Sequence, residues 1–282
     1  MRIGKTYFDI FFISDREAMR PSNPELAVAL SSAVHLRDSS LVLSTGSSTA
    51  RAMLGENARR SAETRLANAL KALGRVDEVL SQENEADADF WLASAGYDYY
   101  FASSFAATIT PAPSHVLKQM KDLSKRGRTN FESWSRATGL DHASRGSSER
   151  RLEGLSVVYD IIRTTFMESK AARTLERFST DSAFEVVQTK ARFLLSSLQS
   201  VDSYAYLGIE SVLALAALQQ LNSIRQSIEP NYSEIISELT VGPNRIISED
   251  VVKSMGLTRS ERTIRRNADI LRESVSDLAK RI

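Results

Sequence analysis

Four arginines, Arg259, Arg262, Arg265 and Arg266, fall within eight residues near the C-terminal end of the sequence. A guanidinium is planar, permanently charged and carries its donors in a rigid fork. It can therefore grip a phosphate, or the O6/N7 edge of guanine, with two hydrogen bonds at once. Arg262, Arg265 and Arg266 are spaced three and four apart, so on a helix they share one face. The chemistry this set predicts is contact with DNA or RNA. No catalytic signature stands out elsewhere in the chain.

Other candidates are weaker. The stretch 45–51, TGSSTAR, would cradle an anion or nucleotide at Gly46 and Ser47, assisted by Arg51, if it turned from a strand into a helix. It lacks the second glycine and the lysine of a P-loop, and a strand-to-helix turn with a hydroxyl cap is the plainer reading. Glu83, Glu85, Asp87 and Asp89 form an acidic cluster with a D-x-D pair. Such pairs can hold a divalent cation, but carboxylates just ahead of a helix also complement its dipole, and no metal site is expected. Residues 118–151 are locally basic. Lys118, Lys121, Lys125, Arg126, Arg128, Arg136, Arg145, Arg150 and Arg151 face Asp122, Glu132, Asp141 and Glu149, with Phe131 and Trp134 interleaved. Cations with aromatics suit single strands, whose bases stack on rings. The plainer reading is a solvated face whose aromatics plug the core. The histidines His35, His115 and His142 share no metal-ligand spacing. Arg136 and His142, separated by five residues, match a spacing found in some helical ribonuclease domains, with Gly139 between them. Tyr97, Tyr99, Tyr100, Phe101 and Phe105 read as a core stripe with hydroxyls reaching the edge.

The elements that must position the arginines are legible. Residues 248–256 predict a helix capped by Ser248 and stopped at Gly256, followed by a turn at 257–258. A second helix then opens, with Thr258 and Glu261 as a capping box. Along it Ile264, Ala268, Leu271, Val275, Leu278 and Ile282 recur at spacings of four and three, a continuous apolar face. Helix, glycine-bearing turn and arginine-bearing helix together resemble a helix-turn-helix. That resemblance implies that the second helix enters the major groove, with Arg259, Arg262, Arg265 and Arg266 on bases and phosphates. The same apolar face also reads as a packing surface, against the chain itself or against a second copy in a homodimer.

The chain of 282 residues is 42% apolar and 25% charged, with a net charge of +1 and no cysteine. These values describe an ordinary globular protein. They exclude disulfides, thiolate metal sites and cysteine nucleophiles, and any electrostatic role must come from local patches. The first residues lack a signal-peptide cleavage site. The longest apolar run, 212–218, is far shorter than a bilayer span. A cytoplasmic protein that does not contact a membrane is therefore expected.

Residues 5–13, KTYFDIFFI, read as a buried strand and 41–44 as a second, with a short helix at 25–35 between them. Helices are expected at 62–80, 87–108, 114–123, 155–178, 182–200 and 203–228, the last apolar nearly all round. The fold class is thus mainly α with a small N-terminal α/β unit, a central helical bundle and a C-terminal helix-turn-helix-like segment. The expected division is 1–60, 61–232 and 233–282. With FDI at 8–10 on a strand and helices after it, the layout resembles archaeal proteins that join a nucleotidyltransferase fold to a helical domain. That resemblance implies a carboxylate role for Asp9. The family's Gly-Ser closely followed by D-x-D on a strand is missing, which implies a non-catalytic relative. The leading expectation is a nucleic-acid-binding or regulatory protein that needs no cofactor. A nucleotide-binding protein using Asp9, Gly46, Ser47 and Arg51, and a helical protein-interaction module, are the alternatives.

Overall fold

The computed structural model describes residues 13–35, 38–165, 178, 183–226, 229, 231, 233–241 and 245–282, with the backbone alone of 2–3, 6–7, 166–169 and 182. Among the described residues the protein is mainly α: thirteen helices, two 3-10 turns and one antiparallel strand pair, Arg2–Ile3 against Thr6–Tyr7. The strand expected over 5–13 meets the described residues chiefly at that pair, and Asp9 lies outside them.

After helices α1 (Asp15–Met19) and α2 (Pro24–Ser31), the stretch expected to be a second strand at 41–44 instead opens helix α3, Val42–Ala52. The local cause is Asp38, whose carboxylate accepts from the Leu43 N–H at 3.2 Å and the Ser44 N–H at 2.6 Å. Capping the free amides of the first turn commits the short apolar run to a helix.

The body of the fold begins with two long helices, α4 (Leu54–Leu80) and α5 (Glu85–Ala106), packed side by side. The expected division at residue 60 falls inside α4. Leu66, Ala69, Leu73, Val76 and Leu80 are buried along α4, whereas Leu70, expected on the same face, is exposed. Helices α6 (Val116–Lys125) and α7 (Phe131–Ala137) follow. Next come α8 (Arg145–Ser169), α9 (Ser182–Ser196) and α10 (Ser200–Gln226). Three C-terminal helices complete the chain: α11 (Ile235–Thr240), α12 (Glu249–Ser254) and α13 (Glu261–Ala279).

Two cores result. One gathers α4, α5, α6, α7 and α13; the other gathers α8, α9, α10, α11 and α12. Helices α5 and α10 border both, with Phe90 turned to the second core and Leu92 to the first. Helix α10 is long and apolar enough to cross a membrane by composition, but most of its surface is buried inside this bundle. The C-terminal segment is therefore woven into both cores.

Candidate nucleic-acid interface

Helix α12 starts where the sequence predicts. Ser248 accepts from the Val251 N–H, and Gly256, at φ +85°, ends the unit in the left-handed region. It packs on α8, where any side chain at Gly154 would meet Ser254 Oγ. The apolar face of α13 packs instead on α4, α5 and α7, with Ile264, Ala268, Leu271, Val275 and Leu278 all buried. The two helices thus lean on different partners. Of the two uses read for this apolar face, packing on the chain itself or on a second copy, the structure shows the face buried against the chain's own helices.

The start of α13 is built by α5. The expected capping box does not form: Ser260 is the cap residue and its side chain does not bond the helix backbone. The Glu261 N–H donates to Glu85 Oε1 at 3.2 Å. The Arg259 N–H donates to Asp89 Oδ2 at 2.9 Å, its guanidinium pairs with the same carboxylate, and its Nη1 donates to the carbonyls of Arg136 and Ala137 at 2.7 and 2.8 Å. Arg259 and Asp89 are both buried. Asp87, also buried, caps α11: its carboxylate accepts from the N–H groups of Ile236 (2.6 Å) and Ser237 (2.9 Å), the Ser237 hydroxyl and the Asn84 amide. The first turn of α5 therefore neutralises the dipoles of two distant helix starts. This is what the acidic D-x-D cluster does. Among the described residues no cluster of carboxylates and histidines could hold a metal.

Arg259 is accordingly withdrawn from any nucleic-acid surface, because moving it would strand a buried carboxylate. Arg262, Arg265 and Arg266 are exposed, as expected. Arg265 is tied to Glu261 at 2.7 Å. Further along the same helix Arg272 pairs with Asp269 and Asp77, and Lys280 with Asp277. Ion pairs thus hold Arg265, Arg272 and Lys280 on the outer face of α13, while Arg262 and Arg266 make none among the described residues.

The proposed anion turn at 45–51 is corrected too, since it lies inside α3, where no strand-to-helix turn is available. Gly46 is buried because a Cβ there would sit 1.9 Å from the Ala18 carbonyl oxygen, so the glycine permits α1 to cross α3. Buried Ser47 bonds His35 Nε2 at 2.8 Å, and Arg51 Nε donates to the Ser31 carbonyl. Each of the three fastens the 13–35 segment onto α3.

The basic segment 118–151 divides sharply. Arg151 is buried between the two cores, stacked 3.7 Å over the Tyr204 ring and donating to the Tyr204 carbonyl. Gly208 leaves it room, since a Cβ there would collide with Tyr97 Oη and Arg151 Nη1. Burial pushes the neighbouring Tyr97 phenol up to about 12, against the pull of Arg151. Trp134 is a core plug. Arg136 pairs with Glu132, and Arg145 with Glu149. His142 sits on a 3-10 turn beyond Gly139, which takes φ +71°, so Arg136 and His142 do not share one helix.

What remains is Arg150, exposed on α8, and the cations of α6 and its turn. Lys118, Lys121, Lys125, Arg126 and Arg128 are all exposed, and none makes an ion pair among the described residues. Lys118, Lys121 and Lys125 stand at helical spacing on one face, with Asp122 beside them. Lys121 lies 5.9 Å over the Phe131 ring, which is half-buried and packs on Trp134. Asp202, at the start of α10, accepts from the Leu117 N–H at 3.2 Å. Burial raises its carboxyl, opposed by that N–H and by His115 and Lys121.

No protein-family model, no curated protein and no solved structure matches this chain.

Proposed function

We propose that this protein binds single-stranded nucleic acid, RNA or DNA, along the outer face of α6 and the turn that follows it. One observation carries the reading. Residues 118–128 hold five exposed cations against one carboxylate, and none of the five is ion-paired among the described residues. Exposed charges without partners are free to neutralise phosphates, and the counterions so released drive association. Phe131 supplies a ring at the edge of the patch, of the kind on which a base stacks. Arg262 and Arg266 at the start of α13 are the other exposed cations that this reading can draw on.

The test is fluorescence anisotropy of labelled single-stranded RNA, single-stranded DNA and duplex DNA across a salt series. Binding is expected to be tighter to single strands, to weaken steeply with salt, and to be lost in Lys118→Glu/Lys121→Glu/Lys125→Glu. Absence of binding at low salt, or a triple variant that binds like wild type, overturns the proposal.

A further inference from the structure

Where the 127–130 turn meets the C-terminal end of α13 there is a cavity of about 170 Å³, lined by Arg128, Thr129, Asn130, Ser274, Asp277 and Arg281 among others. A single water needs only about 10–15 Å³, so the cavity admits a polyatomic group. It adjoins the cationic end of α6, because Arg126 and Arg128 belong to the same turn. We propose that this cavity is a seat for one phosphate group of the bound strand; the identity of the ligand rests on the nucleic-acid reading above.

The case is one of donors held in place but uncommitted. Arg281 donates through Nη1 to the Gly127 carbonyl at 2.7 Å. That bond fixes the guanidinium against the turn and leaves its remaining N–H groups available, which is the fork geometry that a phosphate takes. Arg128 is exposed and has no ion pair among the described residues. The Asn130 side-chain oxygen accepts from the N–H groups of Glu132 and Ser133, both at 3.1 Å, so its amide nitrogen has two hydrogens to offer. The turn itself is held rigid. Buried Tyr99 accepts from the Asn130 N–H at 2.9 Å, and the hydroxyls of Thr129 and Ser103 bond at 3.1 Å. Gly127 takes φ +65° with open space where a Cβ would stand, so a ligand can approach the backbone there. Asp277 is the one carboxylate in the lining, and Lys280 opposes it at 3.1 Å. Arg128, Arg281 and Lys280 against Asp277 leave the seat positive.

Two measurements on the full chain test this. The first compares wild type, Arg281→Gln and Arg281→Lys for binding a labelled single-stranded oligonucleotide across a salt series. Arg281→Gln is expected to weaken binding about three- to tenfold and to lower the salt slope by about one, with an unchanged melting temperature. Arg281→Lys should retain the salt slope but not the full affinity, because it keeps the charge and loses the fork. The second is calorimetric titration with inorganic phosphate alone, where weak binding is expected in wild type and none in Arg281→Gln. If Arg281→Gln binds the strand within twofold of wild type while the α6 triple variant is dead, the seat is wrong and the nucleic-acid surface stands. If no oligonucleotide binds wild type, the nucleic-acid reading fails, and the phosphate titration decides the seat separately. Heat lost in Arg281→Gln would then assign it to free phosphate, and absence of heat would overturn it.

Discussion

The two arginine- and lysine-rich stretches of this protein, 259–266 and 118–128, look alike on paper and are used in opposite ways. In the first, the leading arginine is pulled into the seam between two cores by Asp89, its backbone N–H by the same carboxylate, and Arg265 is matched by Glu261 one turn away, which leaves Arg262 and Arg266 exposed. In the second, five cations stand exposed without an ion pair among the described residues. A cation's meaning is set by whether a carboxylate reaches it. For Arg259 that carboxylate sits on a helix 170 residues earlier, which no local pattern reveals. Buried pairs are worth little over an apolar substitute but cost much to break. Exposed unpaired cations do nothing for the fold and are available to a ligand.

The most direct way to break the comparison is Asp89→Ala. It leaves Arg259 buried without its partner and should cost about 3–5 kcal/mol in urea denaturation. The double variant Asp89→Leu/Arg259→Met is expected to recover much of that. A loss under about 1 kcal/mol for the single variant would mean that Arg259 reaches solvent and belongs with the exposed set. The α6 triple variant named above is the mirror test. Stability should change by only a few tenths of a kcal/mol per site, while nucleic-acid binding is lost. Next, Arg262→Ala/Arg265→Ala/Arg266→Ala should weaken binding by no more than about threefold, roughly 0.7 kcal/mol. If it weakened binding more than the α6 variant does, the interface would lie on α13 after all.

The smallest effect expected is a pH dependence at Asp87. Burial raises its carboxyl above the ordinary range, while hydrogen bonds from the Ser237 hydroxyl, the Ile236 and Ser237 N–H groups and the Asn84 amide pull it back. A carboxyl raised in the folded state holds its proton there to higher pH than in the unfolded chain. Its contribution to stability therefore shrinks as pH rises through the window from about pH 4 upward. The stability difference between wild type and Asp87→Asn, followed by urea midpoint, should drift in that direction. A pH-independent difference would mean that the hydrogen bonds cancel burial, and a drift in the opposite direction would place them ahead of it.

Much of the helical scaffold was readable from periodicity: the apolar lines of α4 and α13, the nearly all-round apolar α10, and the Ser248 start and Gly256 stop of α12. Local chemistry misled at 41–44, where a short apolar run carries no period long enough to tell strand from helix and the deciding group, Asp38, lies outside it. The Thr258–Glu261 box failed for a different reason. Glu85 and Asp89 took the amides at the start of α13, a tertiary contact overriding a local signal. The basic character of 118–151 was visible. Its division into buried Arg151, paired Arg136 and Arg145, and unpaired α6 cations was not, because each fate depends on what packs alongside.

The first turn of α5 also imposes an order of events on synthesis. Its carboxylates find their partners at sequence separations of 149, 170 and 176 residues. At translation rates of about 5–20 residues per second, Glu85 is incorporated roughly nine to thirty-five seconds before Glu261. During that interval the turn must keep its charges hydrated, so neither core can close completely at the seam. Contacts of such long range make folding slow, and closure of α11 and α13 onto α5 would be among its last steps.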